Sequence, residues 1–549
     1  MALRDQIADI IRGDVSDDSL TLEKYSRDMS IFSRTPRVVV FPKNVADVCA
    51  VVQWVHYARA RGENISVTGR SAGTDMTGGV LTDSIAMVFT KYMNHIGEIT
   101  GEYGVAEPGV YYRDFEKATR AKSGTIYPAY PASRELCAIG GIVSNNSGGE
   151  LNLRYGKTEK HVRELELVLS DGSKITSRPL SLDELASKEK EQTLEGRVYR
   201  EIHRLVLTNK GVIEESRPNV TKNSAGYALW RVLDESRGIF DLNQLVVGSQ
   251  GTLALVTKAT LNLIKPKNKR AMLVMFLSDL GILPEIVKRI LEFQPESFES
   301  YDDKTFSLAV RFLPEMLIQM GLWQALKLGI AFIPDVWQVA CGGVPKLVLL
   351  AEFAEDSQED ALEKVRAARD ALLDLHVRTR IAKSEMTAAK YWKVRRESFS
   401  LLRKNVRGRY AAPFIDDIVV HPDDYPRFLP ELYALVSNHR FIYTIAGHIG
   451  DGNFHIIPLV NMTGRDDREE IFELMPKVYS LVAKYHGSIT GEHNDGILRT
   501  PYLPLMFSPK MIELFAEVKK IFDPLNVFNP GKKVGGTAED IKRSIITHV

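Results

Sequence analysis

Two histidines and a glutamate in the C-terminal third of the chain have the side chains and the spacing to hold a divalent metal ion. His448 and His455 flank Asp451-Gly452, a strong turn signal, so His448 can end one strand while His455 begins the next and both face one point. With Glu492 they make an open site that leaves positions for water or substrate. The alternative is that each histidine only hydrogen-bonds within a turn. The neighbouring glycines have no obvious packing purpose and favour the metal site.

A loop of small residues at 66–79 has the composition of a phosphate-binding loop. Gly69, Gly73, Gly78 and Gly79 permit positive φ angles and a close approach of the backbone, and serine and threonine hydroxyls add hydrogen-bond donors. The loop matches neither the P-loop pattern nor GxGxxG. An ordinary glycine-rich surface turn is the alternative.

Two later stretches, at 137–149 and 246–257, are also rich in small residues. Three such surfaces in one domain are more than turns require. Together they indicate a binding site for an extended ligand.

The composition excludes several classes of protein. The 549 residues, 44% of them hydrophobic, are enough for two or more domains with their own cores. Basic and acidic residues nearly cancel, at 71 and 70, which argues against a nucleic-acid surface. Cys49, Cys137 and Cys341 are far apart, so neither a disulfide framework nor a protein-held iron–sulfur cluster is predicted. A reducing cytoplasm fits this usage.

The sequence does not predict an export signal or a membrane span. Residues 1–18 carry acids among their apolar side chains and lack the apolar core of a signal peptide. The most apolar segment, 308–334, is interrupted by Arg311, Glu315 and Lys327. We interpret it as a buried or partner-facing pair of helices, with peripheral contact with the inner membrane as the alternative.

The elements that must position these residues are strands and helices in alternation. A helical arm at 1–30 is followed by a strand at 38–42, a helix at 45–61 and a strand at 65–68 that leads into the loop. Further strands are predicted at 85–90 and 103–107, a helix at 110–123, and a hairpin that turns at Asp171-Gly172. Beyond residue 266 strands and helices alternate on a short period, which indicates a second α+β domain with helices on one face of its sheet.

The three small-residue stretches, in this order and spacing, resemble the FAD-binding domain of the vanillyl-alcohol oxidase (PCMH-type) superfamily, whose usual segments read TGRGAGTSLTGG, IGG with NNS, and VGSEGTLGIVT. The resemblance implies an α+β domain of two subdomains that holds the FAD diphosphate between them. No histidine lies between Ser66 and Gly79, so we expect non-covalent FAD. The residues that the resemblance places at FAD are Gly69, Arg70, Ser71, Ala72, Gly73, Thr74, Asp75, Thr77, Gly140, Gly141, Ser144, Asn145, Asn146, Gly148, Gly251, Leu255, Val256 and Asn529.

The segments GHxGDGNxH and GEH resemble the D-2-hydroxy-acid dehydrogenase branch of the same superfamily, which includes D-lactate, D-2-hydroxyglutarate and glycolate enzymes. The resemblance implies that His448, His455 and Glu492 bind zinc or a similar divalent ion, and that His493 is the catalytic base. It also implies a C-terminal substrate domain with a ferredoxin-like sheet and helices.

A substrate carboxylate needs a cation, and Trp392 to Arg395 resembles the W-x-x-R segment of the family. Arg395 is therefore predicted to bind the carboxylate with two parallel hydrogen bonds. The alternative is that Arg395 is only one charge on a solvated helix face. Arg396 is the other candidate for binding the carboxylate. Two departures stand out: Asn494-Asp495 lies within a segment that often reads EHGIG, and Ile457 stands where some relatives carry a substrate-binding asparagine. The second indicates a less polar pocket than a dicarboxylate requires.

We predict a flavoenzyme with a helical arm (1–30), an FAD domain (31–265), a substrate and metal domain (266–500) and a C-terminal segment that returns to the flavin (501–549). Its predicted reaction is oxidation of a small D-2-hydroxy acid to the 2-oxo acid, with electrons passed to a quinone, an electron-transfer flavoprotein, a cytochrome or oxygen. The alternatives are an oxidase or transferase acting on a non-acid alcohol, and a silent flavin subunit. We expect a cytoplasmic protein without nucleic-acid partners; a homodimer is left open.

Overall fold

The computed structural model describes residues 2–305, 343–384, 387–396 and 409–547. The apolar segment 308–334 and Cys341 lie outside these residues. Among the helices within them, none has both the length and the apolar character that crossing a membrane requires.

The first sheet carries the 66–79 loop. Its strands, in spatial order, are Asp14–Ser16, Val38–Phe41, Ile85–Val88 and Val67–Arg70, and the last three run parallel. Helix Val45–Ala60 packs its valines against them in one core, which confirms the predicted order of strand, helix, strand and loop. At its start, the Asn44 side chain accepts a hydrogen bond from the backbone N–H of Asp47.

The N-terminal arm is only partly helical, which corrects the predicted helical arm at 1–30. Helices form at Leu3–Ala8 and Ser19–Lys24. Between them, Asp14–Ser16 pairs antiparallel with Val38–Phe41 as an edge strand. Segments this short gain little from helix formation, and pairing with the sheet satisfies their backbone groups instead.

A second, antiparallel sheet of five strands forms the other half of the N-terminal region. In order its strands are Ile96–Ile99, Tyr103–Ala106, Leu255–Asn262, Val162–Val168 and Lys174–Ser177. The helices in its core are Tyr112–Ser123, Ile139–Asn145, Leu194–Thr208 and Pro509–Phe522. Smaller elements nearby are helices Asn152–Tyr155, Leu182–Lys188, Lys210–Glu215 and Asn243–Val246, and the short strands Leu180–Ser181, Leu233–Asp234 and Ile239–Phe240. The hairpin predicted at Asp171-Gly172 is confirmed.

The described residues of the C-terminal region form a sheet of eight strands, all antiparallel. In order they are Arg378–Ala382, Lys269–Leu277, Leu347–Glu355, Ser297–Asp302, Ile442–His448, Asn453–Val460 and Tyr410–Ala411, with Ile418–Val419 also paired to Asn453–Val460. The helices packed on it are Leu283–Glu292, Gln358–Asp370, Tyr425–Ser437 and Arg465–Lys484. The sheet is therefore larger than a four-stranded ferredoxin-like one.

Strand periodicity gives this sheet two different faces. Leu273 and Met275 pack into the core shared with the four helices, whereas Met272 and Val274 lie in a separate cluster with Trp392. The second face carries the candidate site.

The C-terminal segment returns to the first sheet. After helix Pro509–Phe522, Phe528 forms a parallel bridge with Val67. Asn529, whose φ of 41° lies in the left-handed region, donates hydrogen bonds to the carbonyls of Gly79 (2.8 Å) and Gln250 (2.7 Å). The end of the chain thus joins two of the three small-residue stretches.

Candidate active site

A cavity of about 820 Å³ has a wall that includes residues of all three small-residue stretches. The same wall includes His448, His455, Glu492 and His493. A cavity of this size lies in the upper part of the range for small-molecule and cofactor sites.

Two glycines show how the cavity is shaped for a ligand. A Cβ atom on Gly140 would lie 2.6 Å from Pro108 and from the Ser71 hydroxyl, so only glycine allows helix Ile139–Asn145 to approach the first loop this closely. A Cβ on neighbouring Gly141 would meet only Ser71, at 3.9 Å. Gly141 therefore presents bare backbone to the cavity, as a close-fitting ligand needs.

Asp75 fixes the first loop and joins it to the second stretch. Its carboxylate accepts hydrogen bonds from the backbone N–H groups of Gly79 (2.6 Å) and Thr77 (3.1 Å) and from the side-chain amide of Asn145 (3.0 Å). The loop conformation is thus set by a buried side chain of the loop itself.

The structure divides the residues predicted at FAD into two groups. The wall of the cavity contains Gly69, Arg70, Ser71, Ala72, Gly73, Thr74, Asp75, Gly140, Gly141, Ser144, Asn145, Gly148, Gly251, Leu255 and Val256. Thr77, Asn146 and Asn529 are buried but are not in the wall. Thr77 and Asn529 hydrogen-bond residues of the first loop, and the Asn146 side chain accepts from the backbone N–H of Glu159. The Arg70 guanidinium turns to the N-terminal arm, where it donates to the carbonyl of Arg27 at 2.7 Å.

The two histidines lie as the turn at Asp451-Gly452 predicts. His448 ends strand Ile442–His448 and His455 lies on the paired strand Asn453–Val460, with ring centroids 5.3 Å apart. One nitrogen or oxygen atom from each of His448, His455 and Glu492 lies within 4.8 Å of the other two. Two nitrogen ligands and one oxygen ligand at this separation fit a zinc-like ion that keeps open coordination positions.

A buried carboxylate orients each of these imidazoles. Glu299 lies 2.6 Å from Nδ1 of His448, and Asp416 lies 3.0 Å from Nδ1 of His455. With Nδ1–H donated to a carboxylate, Nε2 of each ring is left to bind an ion. Although burial opposes ionisation, the neighbouring His448 imidazole and Arg395 guanidinium hold the pKa of Glu299 at about 2.

His493 shares the same carboxylate. Its Nδ1 lies 2.9 Å from Asp416, and its backbone N–H donates to Asp417 at 2.7 Å. Burial opposes protonation of the ring, but the charges of Asp417 and Asp416 raise the pKa of His493 to about 9. Further positive charge is therefore needed nearby before this imidazole can accept a proton near neutral pH.

The two candidate arginines differ in their surroundings. Arg395 lies in the cavity wall and its guanidinium contacts Glu299 at 3.0 Å, with a side chain that is 16% exposed. Arg396 also reaches the wall, but it is 54% exposed, pairs with Glu150 at 2.8 Å and lies over the Trp392 ring. Arg395 is thus the arginine next to the histidine cluster, and Glu299 connects it to His448.

Sequence reasoning missed the buried charges that hold this cluster: Glu299, Asp416, Asp417 and Lys222. Glu299 had only a weak signal, because its strand, Ser297–Asp302, is itself largely polar, and the burial of the acid is seen only in the fold. The adjacent pair Asp416-Asp417 after Phe414-Ile415 is a similar signal.

Lys222 had no local signal. Its ammonium lies 2.6 Å from Glu492 and 3.0 Å from Asp451. Burial opposes its charge, but these two carboxylates raise the pKa of Lys222 above its usual value.

Both sequence departures have a place in the structure. Asn494 has a φ of 71°, a left-handed conformation that asparagine tolerates, and its amide donates to the carbonyl of Gly248 at 2.8 Å. Ile457 lies in the cavity wall, two residues beyond His455 on the same strand face.

Two family models match the chain. One, described as "FAD binding domain", matches residues 36–177, and the other, "FAD linked oxidases, C-terminal domain", matches residues 265–533. The first range contains the stretches at 66–79 and 137–149, and the second contains the histidine cluster.

Curated relatives align over nearly the whole chain. A D-2-hydroxyglutarate dehydrogenase of Escherichia coli is 29% identical over 530 residues, which cover 94% of this chain and 49% of that protein. One from Stutzerimonas stutzeri is 27% identical and covers 97% of this chain and 98% of its own. Glycolate oxidase subunit GlcD of Bacillus subtilis is 25% identical, with coverages of 94% and 92%. The chain spans about half the length of the E. coli protein and of three similar relatives.

Solved structures share the fold. A 4-ethylphenol oxidase from Gulosibacter chungangensis aligns over 97% of both chains with a TM-score of 0.68 and 15% identity. An alkyldihydroxyacetonephosphate synthase aligns over 94% of this chain and 82% of its own, with a TM-score of 0.61 and 14% identity. This likeness confirms the predicted α+β fold with its two-part FAD-binding domain.

The motifs, the family models and the relatives agree: the chain belongs to the FAD-linked oxidases of the vanillyl-alcohol oxidase (PCMH-type) superfamily, in the branch of the D-2-hydroxy-acid dehydrogenases.

Proposed function

We propose that this protein oxidises a small D-2-hydroxy acid to the corresponding 2-oxo acid, with non-covalently bound FAD and a divalent metal. The observation that carries the proposal is that one cavity wall holds the FAD-domain loops, the histidine cluster and Arg395. A hydroxy acid in this cavity would have its carboxylate, its hydroxyl and its Cα hydrogen each within reach of a suitable group.

The residues present fit both groups. The loops around Gly140 and Gly141 would hold FAD, which supplies an acceptor for a hydride at flavin N5. His448, His455 and Glu492 would hold the metal, which makes a nearby hydroxyl more acidic.

His493 is proposed to take the hydroxyl proton at Nε2, because its Nδ1 faces Asp416. Asp416 fixes this ring and the neighbouring His455 together, since it contacts Nδ1 of both. Arg395 is proposed to hold the substrate carboxylate, with Glu299 keeping the guanidinium against the cluster.

The wall beside the cluster indicates the kind of side chain the substrate carries. Thr444, Ala446 and Ile457 lie in this wall, and Thr444 pairs with Ile457 across the two strands. These groups offer van der Waals contact and a single hydroxyl rather than a second cation. We therefore propose a hydroxy acid with a small apolar side chain, such as D-lactate, over a dicarboxylate. Electrons would leave to an external acceptor in the cytoplasm.

Replacing Gly141 by leucine should expel the flavin without disrupting the fold. The new side chain would extend into the cavity, because a Cβ there meets only Ser71. We expect Gly141→Leu to be purified without flavin absorbance and to unfold at the temperature of FAD-stripped wild type. Gly211→Leu is the control, since Gly211 lies in a helix with open space around it, and it should keep its flavin. Full flavin retention by Gly141→Leu would contradict the FAD site.

Anaerobic addition of substrate should bleach the oxidised-flavin absorbance with one D-2-hydroxy acid and not with its L-isomer. Among D-acids, those with a small apolar side chain should react faster than D-2-hydroxyglutarate.

In His493→Gln the first-order bleaching rate should fall at least about 100-fold, as expected for loss of a general base. His95→Gln, at a histidine that is 77% exposed, should react at the wild-type rate. Wild-type bleaching by His493→Gln would rule out the base assignment.

Arg395→Met should raise KM for the hydroxy acid by about 10- to 100-fold, because charge-assisted hydrogen bonds to a carboxylate contribute about 1.5–3 kcal/mol. Arg396→Met is the matched control, since this neighbour is more exposed and paired with Glu150, and its KM should stay within about threefold of wild type. Steady-state kinetics of both variants measure these KM values. A larger rise in KM for Arg396→Met than for Arg395→Met would instead assign the contact with the substrate carboxylate to Arg396.

A further inference from the structure

Lys222 places a fixed positive charge inside the candidate metal site. Its side chain is 2% exposed, and its ammonium lies 2.6 Å from Oε1 of Glu492 and 3.0 Å from Oδ2 of Asp451. Glu492 is a candidate ligand, and Asp451 lies in the turn between His448 and His455. The lysine therefore contacts both parts of the chain that form the cluster.

Lys222 comes from the N-terminal region, whereas its two partners belong to the C-terminal one. The preceding residue reinforces the contact, because the Thr221 hydroxyl donates to the backbone carbonyl of Asp451. Asn152, also from the N-terminal region, donates to Oε1 of Glu492 at 3.3 Å. One oxygen of Glu492 is thus already bonded twice before any ion binds.

This arrangement has two effects on a divalent ion. An ion held by Glu492 would share that carboxylate with the ammonium, so two positive charges would lie close together in a buried site and would repel one another. The ammonium also pairs with Glu492 and Asp451 when no ion is bound, which offsets part of the cost of burying these two carboxylates.

We propose that Lys222 is a permanent positive charge within the metal site. It holds Glu492 and Asp451 in place when no ion is bound, and it lowers the affinity for a divalent ion so that a bound ion can dissociate and be replaced. The inference rests on the metal site of the proposed function. It makes Lys222 a positioning residue that acts through Glu492.

The test is the dissociation constant for zinc, measured on the FAD-loaded protein by competition with a chromophoric chelator. Lys222→Met removes the charge at similar size and should bind zinc at least about tenfold more tightly than wild type. Lys222→Arg keeps the charge and should stay within about threefold of wild type. If Lys222→Met does not fold, Lys222→Gln is measured instead, since its amide can still donate to the carboxylates, and the same tightening is expected.

Thermal unfolding gives a second readout. Zinc-free Lys222→Met should unfold at a lower temperature than zinc-free wild type, and zinc should raise its midpoint by more. If Lys222 were merely structural, its replacement would lower the unfolding midpoint equally with and without zinc. The dissociation constant for zinc would then be unchanged or higher.

The outcomes separate this inference from the function it rests on. If wild type binds zinc and Lys222→Met or Lys222→Gln binds it no more tightly, the role of Lys222 is overturned and the metal site stands. If neither wild type nor the variants bind zinc, both are overturned.

Discussion

Burial of carboxylates in one cavity wall and directly behind it is the constraint on which the rest of this structure depends. Glu299, Asp416, Asp417, Asp451 and Glu492 are each at most 6% exposed. A buried carboxylate is costly unless it is paired and hydrogen-bonded, so each of them fixes the position of its partners. The imidazoles, Arg395 and Lys222 are held by these pairings, and so are the backbone N–H groups of residues 492 and 493.

The same pairings join the two regions of the chain. Lys222 and Asn152 from the N-terminal region contact Glu492, while Asn494 from the C-terminal region donates to the carbonyl of Gly248. Within the FAD domain, Asn529 joins two of the loops to each other, since it donates to the carbonyls of Gly79 and Gln250. These contacts between regions set how the FAD loops face the histidine cluster, and the chemistry proposed here requires that arrangement.

Local signals in the sequence predict much of this molecule. The turn between His448 and His455 and the first strand, helix and loop follow from short-range patterns, and the structure has them where predicted. Contacts between distant parts of the chain carry no such signal: Lys222 meets Glu492 only through the fold. Small polar residues give the same pattern whether they line a cavity or support a loop. Thr77, Asn146 and Asn529 therefore could not be told from the wall residues.

In the proposed function, the histidine cluster and the FAD loops act on one substrate in one cavity. The most direct test of this function is the rate at which a D-2-hydroxy acid reduces the bound flavin anaerobically, in protein stripped of metal by a chelator and again after zinc is added. We expect flavin reduction to be lost when the metal is stripped and to be restored by zinc, while the flavin stays bound throughout. Flavin reduction at an unchanged rate in protein shown by elemental analysis to hold no divalent metal would contradict this function.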